Sequence, residues 1–228
     1  MRIAKFVFAS LCIAVIVCAL ITVGMMVYQS VLDVLTNDNV QALTRKAKYN
    51  NFARIRGLHI HAAEEENKGY GSIELLARYF ESEEMPIPDR NREPRNNREF
   101  RTELQKAFPE YNITQHSNLR NTELIDLIYD ALAAENPVII FHAGANPNEG
   151  GQNLEMRYSV VIGVNLPNLN NQIRISDPHG ITVTYTLDDF IRSARFNNYE
   201  MSFYQRLLFA FRIYAKNTIF IIEVNAET

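Results

Sequence analysis

The feature that most constrains this chain is an uncharged segment close to its start. Twenty-seven consecutive residues, from Phe6 to Leu32, carry no formal charge, and most of them are Val, Ile, Ala, Leu, Phe or Met. A helix needs about 20 apolar residues to cross the hydrocarbon core of a bilayer, so this segment is long enough to span one. A cleaved signal peptide has a shorter apolar region, of roughly 7–15 residues, followed by small residues at the cleavage site. The segment therefore predicts an uncleaved signal anchor and a single-pass protein of the cell membrane.

The charges on either side of the uncharged segment predict its orientation. Arg2 and Lys5 precede the segment, whereas Asp33 and Asp38 follow it. Positive charge favours the cytoplasmic side, so we expect a cytoplasmic N-terminus and an extracytoplasmic C-terminal domain. The expected parts are a cytoplasmic tail, a transmembrane signal anchor, a juxtamembrane stalk and one domain, over residues 1–5, 6–32, 33–56 and 57–228.

The composition of the chain excludes three classes of protein. Of the 228 residues, 21% are charged and the net charge is −3, so a strongly basic protein with a nucleic-acid partner is not expected. Two cysteines, Cys12 and Cys18, are too few for a disulfide scaffold. Both lie in the uncharged segment, which also excludes a zinc site built from cysteines in the domain.

Apolar periodicity after the anchor predicts a domain of the α+β class. Spacings of three and four residues predict helices over 72–84, 101–108, 121–135 and 187–195. Short apolar or alternating runs between turns predict strands near Ile113 and over 137–141, 158–164, 172–176, 181–186 and 217–224. Because the helices mostly come first and the strands then follow as hairpins, we expect an antiparallel sheet.

Four short segments of the domain carry motifs that follow one another in order. They read NKGYGSIELLARYF, LIDLIYDALAAENPVIIF, RYSVVIGVN and ISDPHG, and they begin at residues 67, 124, 157 and 175. Together they resemble papain-like cysteine peptidases of the bacteriocin-processing (double-glycine leader) type. The resemblance implies a papain-like cysteine-peptidase fold, with N-terminal helices packed on a mostly antiparallel sheet, here preceded by one transmembrane helix.

The catalytic positions of that family are not kept in this chain. The resemblance places Lys68 where the nucleophilic Cys belongs and Arg157 where the general-base His belongs, and it keeps only Asp177, which orients the His. A thiol peptidase needs a thiolate with a base in hydrogen-bond reach. The resemblance thus implies a catalytically inactive, peptidase-like domain that binds a peptide or protein ligand in the former active-site cleft. The candidate binding residues are Lys68, Tyr70, Arg157, Asp177 and His179.

Two interpretations compete with a ligand in the former cleft. The charged residues there could form a plain surface ion-pair cluster in a structural or interaction module. An active hydrolase is the other alternative, with His142 or His179 beside Asp177 and with Ser159 or Ser176 as nucleophile. No Gly-x-Ser-x-Gly motif accompanies these serines, which counts against the hydrolase.

The pair His59 and His61 would place two imidazoles on one face of a strand, as ligands of a zinc site are placed. Three glutamates, at 64–66, follow the two histidines. A catalytic zinc site needs three protein ligands in a fixed geometry, and a His-x-His pair near Glu is also common in solvated loops. We therefore expect no metal and no cofactor.

Overall fold

The computed structural model describes residues 2–49, 52–56, 58, 70–80, 92–145, 154–166, 171–176, 181–197 and 200–223. Six helices among these residues, α1 to α6, cover Arg2–Thr36, Gly71–Tyr79, Asn97–Ala107, Asn121–Ala133, Leu187–Ala194 and Phe203–Ala210. Seven strands, β1 to β7, cover Ala53–Arg54, Asn112–His116, Val138–Ala145, Leu154–Asn165, Gln172–Ser176, Thr182–Thr186 and Thr218–Glu223.

The seven strands form one antiparallel sheet, which confirms the predicted α+β class. The strand order is β2-β7-β3-β4-β5-β6, and β1 pairs with β4. The pairing of β3 with β4 ends at Val138 and Val161, and β1 takes the free side of β4 just beyond, with Ala53 opposite Val164. Residues that precede the domain in the predicted division are therefore part of its sheet.

The central strands of the sheet are covered on both faces. Every residue from Val138 to Gly144 in β3 is buried. Tyr158 of β4 faces α3, where its ring stacks on Phe100 at a centroid distance of 3.8 Å. Its neighbour Arg157 lies opposite His142 of β3. Since successive side chains of a strand point to opposite faces, Arg157 and His142 share the face away from Phe100.

Helix α1 is long and apolar enough to cross a membrane. Among the described residues, the 27 from Ser10 to Thr36 meet this test of length and composition, and their most apolar stretch is not buried against the rest of the protein. The helix continues four residues beyond the predicted end of the membrane segment at Leu32.

The segment predicted to be a juxtamembrane stalk, 33–56, packs on the domain instead. It forms the end of α1, two short 3-10 helices and β1. Val40, Leu43 and Tyr49 are buried in the core, and the Tyr49 ring meets Tyr129 of α4 edge to face at 4.8 Å. Its apolar residues were too loosely spaced to indicate which surface they would cover.

Polar contacts fix the end of α1 to the domain. Lys216, next to the start of β7, forms an ion pair with Asp33 at 2.7 Å. Arg195, just after α5, donates hydrogen bonds to the side chains of Thr36 and Asn121 at 3.0 and 3.1 Å and also to the backbone oxygen of Asp33. The end of helix α1 is thereby held directly on the domain by polar contacts.

Three helices differ from the predicted elements. Helix α2, predicted over 72–84, covers Gly71–Tyr79 and ends in a turn at Phe80. Helix α3 begins at Asn97 and not at 101, because the side chain of Asn96 accepts a hydrogen bond from the backbone N–H of Glu99 and caps a polar first turn. Helix α6 was not predicted. Its sequence, FYQRLLFA, is apolar on nearly all sides, so no helical period stands out.

Candidate functional site

Two of the five residues that the sequence assigns to a binding site belong to the described residues. These are Tyr70, immediately before α2, and Arg157 in β4. Lys68, Asp177 and His179 lie outside the described residues. The predicted convergence of Lys68, Arg157 and Asp177 at one cleft therefore stays a prediction.

Tyr70 is buried at the start of α2. Only 2% of the residue is exposed, and its ring stacks on Phe100 at a centroid distance of 6.1 Å. Burial, together with the nearby Glu99 and Glu103, raises the pKa of the Tyr70 hydroxyl to about 12, so this group is a neutral donor at pH 7.

Two hydroxyl groups at this helix start are buried without a hydrogen-bond partner. They are the hydroxyls of Tyr70 and Ser72, for which no donor or acceptor lies in reach among the described residues. Such groups are rare in native proteins, because an unpaired buried hydroxyl costs about 1–3 kcal/mol. Among the described residues, Tyr49, Thr114, Asn171, Arg195 and Asn217 also carry a buried polar atom without a partner. The two hydroxyls at the start of α2 differ from these in lying two positions apart at the helix start that the resemblance identifies as the cleft.

Arg157 is held within the sheet and is not positioned as a free cation. Its Nε donates a hydrogen bond to a carboxylate oxygen of Glu155 at 2.9 Å, and only 8% of its side chain is exposed. The stem of Arg157 lies directly over Gly144, where a Cβ atom would come within 2.3 Å of the Arg157 Cδ. The absence of a side chain at Gly144 thus makes room for the arginine.

The structure does not bring Tyr70 and Arg157 together. Tyr70 lies on the face of the sheet to which Tyr158 points, because both rings stack on Phe100. Arg157 faces the opposite side, where it lies across from His142. Of these two residues, only Tyr70 lies at the helix start that the resemblance identifies as the cleft.

His142 and Ser159 form a hydrogen-bonded pair, as the hydrolase alternative requires. The Nε2 of His142 lies 2.8 Å from the hydroxyl oxygen of Ser159, and its Nδ1 lies 3.0 Å from the hydroxyl oxygen of Ser193 in α5. The single hydrogen of Ser193 goes to the backbone oxygen of Ala143, at 2.6 Å. His142 must therefore donate from Nδ1, and Ser159 then donates to Nε2.

Ser159 donates to His142 as a serine nucleophile donates to its general base, but the pair is not accessible to solvent. Ser159 is 0% and His142 2% exposed. Burial lowers the pKa of His142 to about 4, and the charge of Arg157 adds to this effect, whereas the backbone oxygen of Ala143 opposes it. A substrate cannot reach these atoms, so the arrangement serves the packing of α5 on β3. Sequence reasoning named both members of the pair but had no signal for Ser193.

Neither a metal cluster nor the predicted His pair can be placed from the described residues. Among them, no group of three or more His, Cys, Asp or Glu side chains is close enough to hold a metal ion. His59 and His61 lie outside the described residues.

Sequence reasoning missed a polar cavity of about 540 Å³ at the junction of α1 and α5, lined by Asn37, Asp189, Ile191, Arg192, Arg195 and Asn197.

Comparison of the chain with protein-family models, with curated proteins and with solved structures finds no match in any of the three. The papain-like fold and the peptidase-like function therefore stay predictions from short motifs. The α+β class, the antiparallel sheet and the apolar N-terminal helix follow from the structure itself.

Proposed function

We propose that the protein is a membrane-anchored, peptidase-like domain without catalytic activity that binds a peptide or protein ligand in the former active-site cleft, at the start of α2. The observation that carries this proposal is the pair of unpartnered hydroxyls of Tyr70 and Ser72. In the resembled family this helix start bears the nucleophile and meets the substrate.

The chemistry of the chain supports the lack of catalysis. Its only thiols, Cys12 and Cys18, lie in α1. At the general-base position stands Arg157, whose guanidinium has donor groups and no acceptor and is paired with Glu155. A guanidinium in this state cannot accept the proton of a nucleophile, so the family mechanism has neither of its two reacting groups.

A substitution that removes one unpartnered hydroxyl tests the proposed site. We expect Tyr70→Phe to raise the free energy of unfolding by about 1 kcal/mol, because an unsatisfied buried group is lost. The same change should weaken peptide binding by roughly tenfold, since the hydroxyl is the group that the ligand satisfies. The measurements are chemical denaturation of the full chain in detergent and fluorescence anisotropy with labelled amphipathic peptides ending in Gly-Gly, the class that the resemblance implies.

Tyr158→Phe is the matched control for this experiment. The hydroxyl of Tyr158 is equally buried but donates to the side chain of Asn97 at 2.8 Å, so its removal should destabilise the fold. Peptide binding by the folded control should be unchanged. If Tyr70→Phe destabilises the chain as the control does and binding is the same in both, the hydroxyl is structural and the proposal is wrong.

The alternative function, an active hydrolase, has the hydrogen-bonded pair of His142 and Ser159 in its favour and the burial of both residues against it. Peptide turnover by the full chain that is lost in both Ser159→Ala and His142→Asn, while both variants stay folded, would favour this alternative. Turnover that persists in the presence of iodoacetamide would exclude any role for a thiol.

We further propose that α1 spans the membrane once, with the domain on the extracytoplasmic side. Alkaline phosphatase fused after Thr228 should then be active in a bacterial host, because that enzyme folds only after export from the cytoplasm. Fusion of the phosphatase directly before Met1 should give no activity. The reverse pattern would place the domain in the cytoplasm and would contradict the orientation given by Arg2 and Lys5.

A further inference from the structure

Four large apolar side chains around helix α6 are exposed to solvent. Phe203 and Tyr204 at the start of α6 are 66% and 68% exposed, and Phe211 and Ile213 just after it are 43% and 40% exposed. We call these four residues the aromatic patch. Three of the four are aromatic: Tyr is enriched at the boundary between lipid and water, and Phe is typical of the apolar face of helices that lie in this boundary.

The aromatic patch lies beside the anchor helix. Helix α6 packs against α1. The Arg212 guanidinium, between Phe211 and Ile213, lies 4.9 Å from the ring centroid of Tyr28 in α1 and donates a hydrogen bond to its hydroxyl. Four residues later along the chain, Lys216 pairs with Asp33 of α1. The chain after α6 thus runs along α1, away from the membrane segment and into the domain.

The position of Tyr28 along α1 gives the depth of this contact. The hydrocarbon core takes about 20 of the 27 uncharged residues from Phe6 to Leu32. If the core begins at Phe6, it ends near Met25, and Tyr28 lies about 4.5 Å beyond it. If the core instead ends at Leu32, Tyr28 lies about 6 Å inside that end. In both limits Tyr28 and its partner Arg212 lie at the boundary between acyl chains and headgroups.

We infer that α6 and the residues after it form a second membrane contact, in which the aromatic patch inserts among the headgroups of the leaflet from which the domain emerges. This inference rests on the proposed membrane anchor. Exposed Arg206 and Arg212 lie between members of the patch along the chain and can reach lipid phosphates, as cations beside interfacial aromatic residues do. Together with the polar junction at Asp33, the contact fixes the tilt of the domain against the bilayer.

Single tryptophans report this contact directly, because the chain contains no natural tryptophan. The full chain carrying Phe203→Trp or Phe211→Trp would be reconstituted in phosphatidylcholine vesicles whose lipids are brominated near the headgroup end of the acyl chains. We expect the bromine to lower tryptophan emission by about twofold. The same change at Glu110, an exposed residue two positions before β2, should show no quenching. The start of β2 at Asn112 pairs with Glu223, the end of β7 that lies away from the junction.

A third position separates failure of this inference from failure of the anchor. Ile16→Trp, in the middle of α1, should be quenched by lipids brominated at the far end of the acyl chains. Quenching at Ile16 but not at Phe203 and Phe211 would overturn the second contact alone. Emission from the patch that is shifted to shorter wavelength but unquenched would mean that protein, such as a second copy of the chain, covers it. Absence of quenching at all three positions would overturn the anchor as well.

Discussion

Replacement of Arg195 by methionine is expected to lower the free energy of unfolding of the full chain by about 3–5 kcal/mol. Arg195 is only 2% exposed, and its guanidinium serves three acceptors at once. These are the hydroxyl of Thr36, the side-chain oxygen of Asn121 and the backbone oxygen of Asp33. Methionine fills a similar volume, but it leaves the part-buried acceptors of Thr36 and Asp33 without this donor. The buried side-chain oxygen of Asn121 keeps only its hydrogen bond from Asn217.

The electrostatic surroundings of Arg195 add to this cost. Burial lowers the pKa of its guanidinium, and the carboxylates of Asp33 and Asp38 oppose that effect. Asp38 itself accepts hydrogen bonds from the backbone N–H and the hydroxyl of Thr122, at the start of α4. Without the arginine, Lys216 is the remaining cation bound to Asp33. The substitution therefore removes from the junction of α1 with the domain both a positive charge and the hydrogen bonds that hold α1 in position.

The experiment is thermal and chemical unfolding of the full chain in detergent, followed by circular dichroism. A loss of about 4 kcal/mol should lower the melting temperature by roughly 10 °C in a chain of this size. Arg195→Lys should rescue little, because an ammonium group cannot serve three acceptors as a planar guanidinium does. The matched control is Arg192→Met, on the same helix, where the exposed side chain has no partner among the described residues and the effect should stay below about 0.5 kcal/mol. Equal effects at Arg192 and Arg195 would show that the junction contributes nothing specific.

Local patterns predicted six of the seven described strands, all except β1, because the residues of a strand themselves carry the pattern of burial. The strand predicted over 172–176 is found at Gln172–Ser176, and that predicted over 181–186 is found at Thr182–Thr186. Alternation of apolar and polar residues is set by the strand's own sequence and does not depend on which strands become its neighbours. The same holds for α5, whose predicted start at Leu187 is found unchanged.

The junction with α1 could not be predicted, because it depends on residues far apart in the chain. Arg195 and Asp33 are separated by 162 positions, and nothing near either residue indicates the other. An apolar pattern predicts which segments are buried, but not which polar groups meet when they are. For this reason 33–56 was expected to be a stalk, although it packs on α4 and β4.

The candidate site shows a similar limit of short motifs. The motif that contains Arg157 correctly predicted a strand, but which face of that strand each side chain takes depends on the helices that cover it. Phe100 of α3 fixes Tyr158 on the side of Tyr70, and Arg157 then faces away. A resemblance in sequence could name both Tyr70 and Arg157, but it could not predict that they lie on different faces.

The buried histidine gives the second large effect, a dependence of stability on pH. The pKa of His142 is about 4 in the folded chain, against about 6.5 when the chain is unfolded. Between these values the unfolded state binds more protons than the folded state, so stability rises with pH. The contribution of His142 is complete above about pH 7 and is lost as the pH falls from about 6.5 to about 4, for a total of about 3 kcal/mol.

His142→Asn separates this effect from the other groups that titrate in the same range. The asparagine amide can still donate toward Ser193, but it carries no proton-binding nitrogen, and Ser159 loses its acceptor. We expect the variant to be less stable than the natural chain at pH 7.5, with a gap that narrows by about 3 kcal/mol as the pH falls to 4. Chemical denaturation of both proteins at several pH values measures this gap, and the remaining histidines and carboxylates, common to both, cancel. A gap that does not change with pH would mean that His142 is protonated as easily in the folded chain as in water, and the prediction would be wrong. The burial of His142 between Ser159 and Ser193 disfavours the charged imidazolium and argues for a gap that narrows.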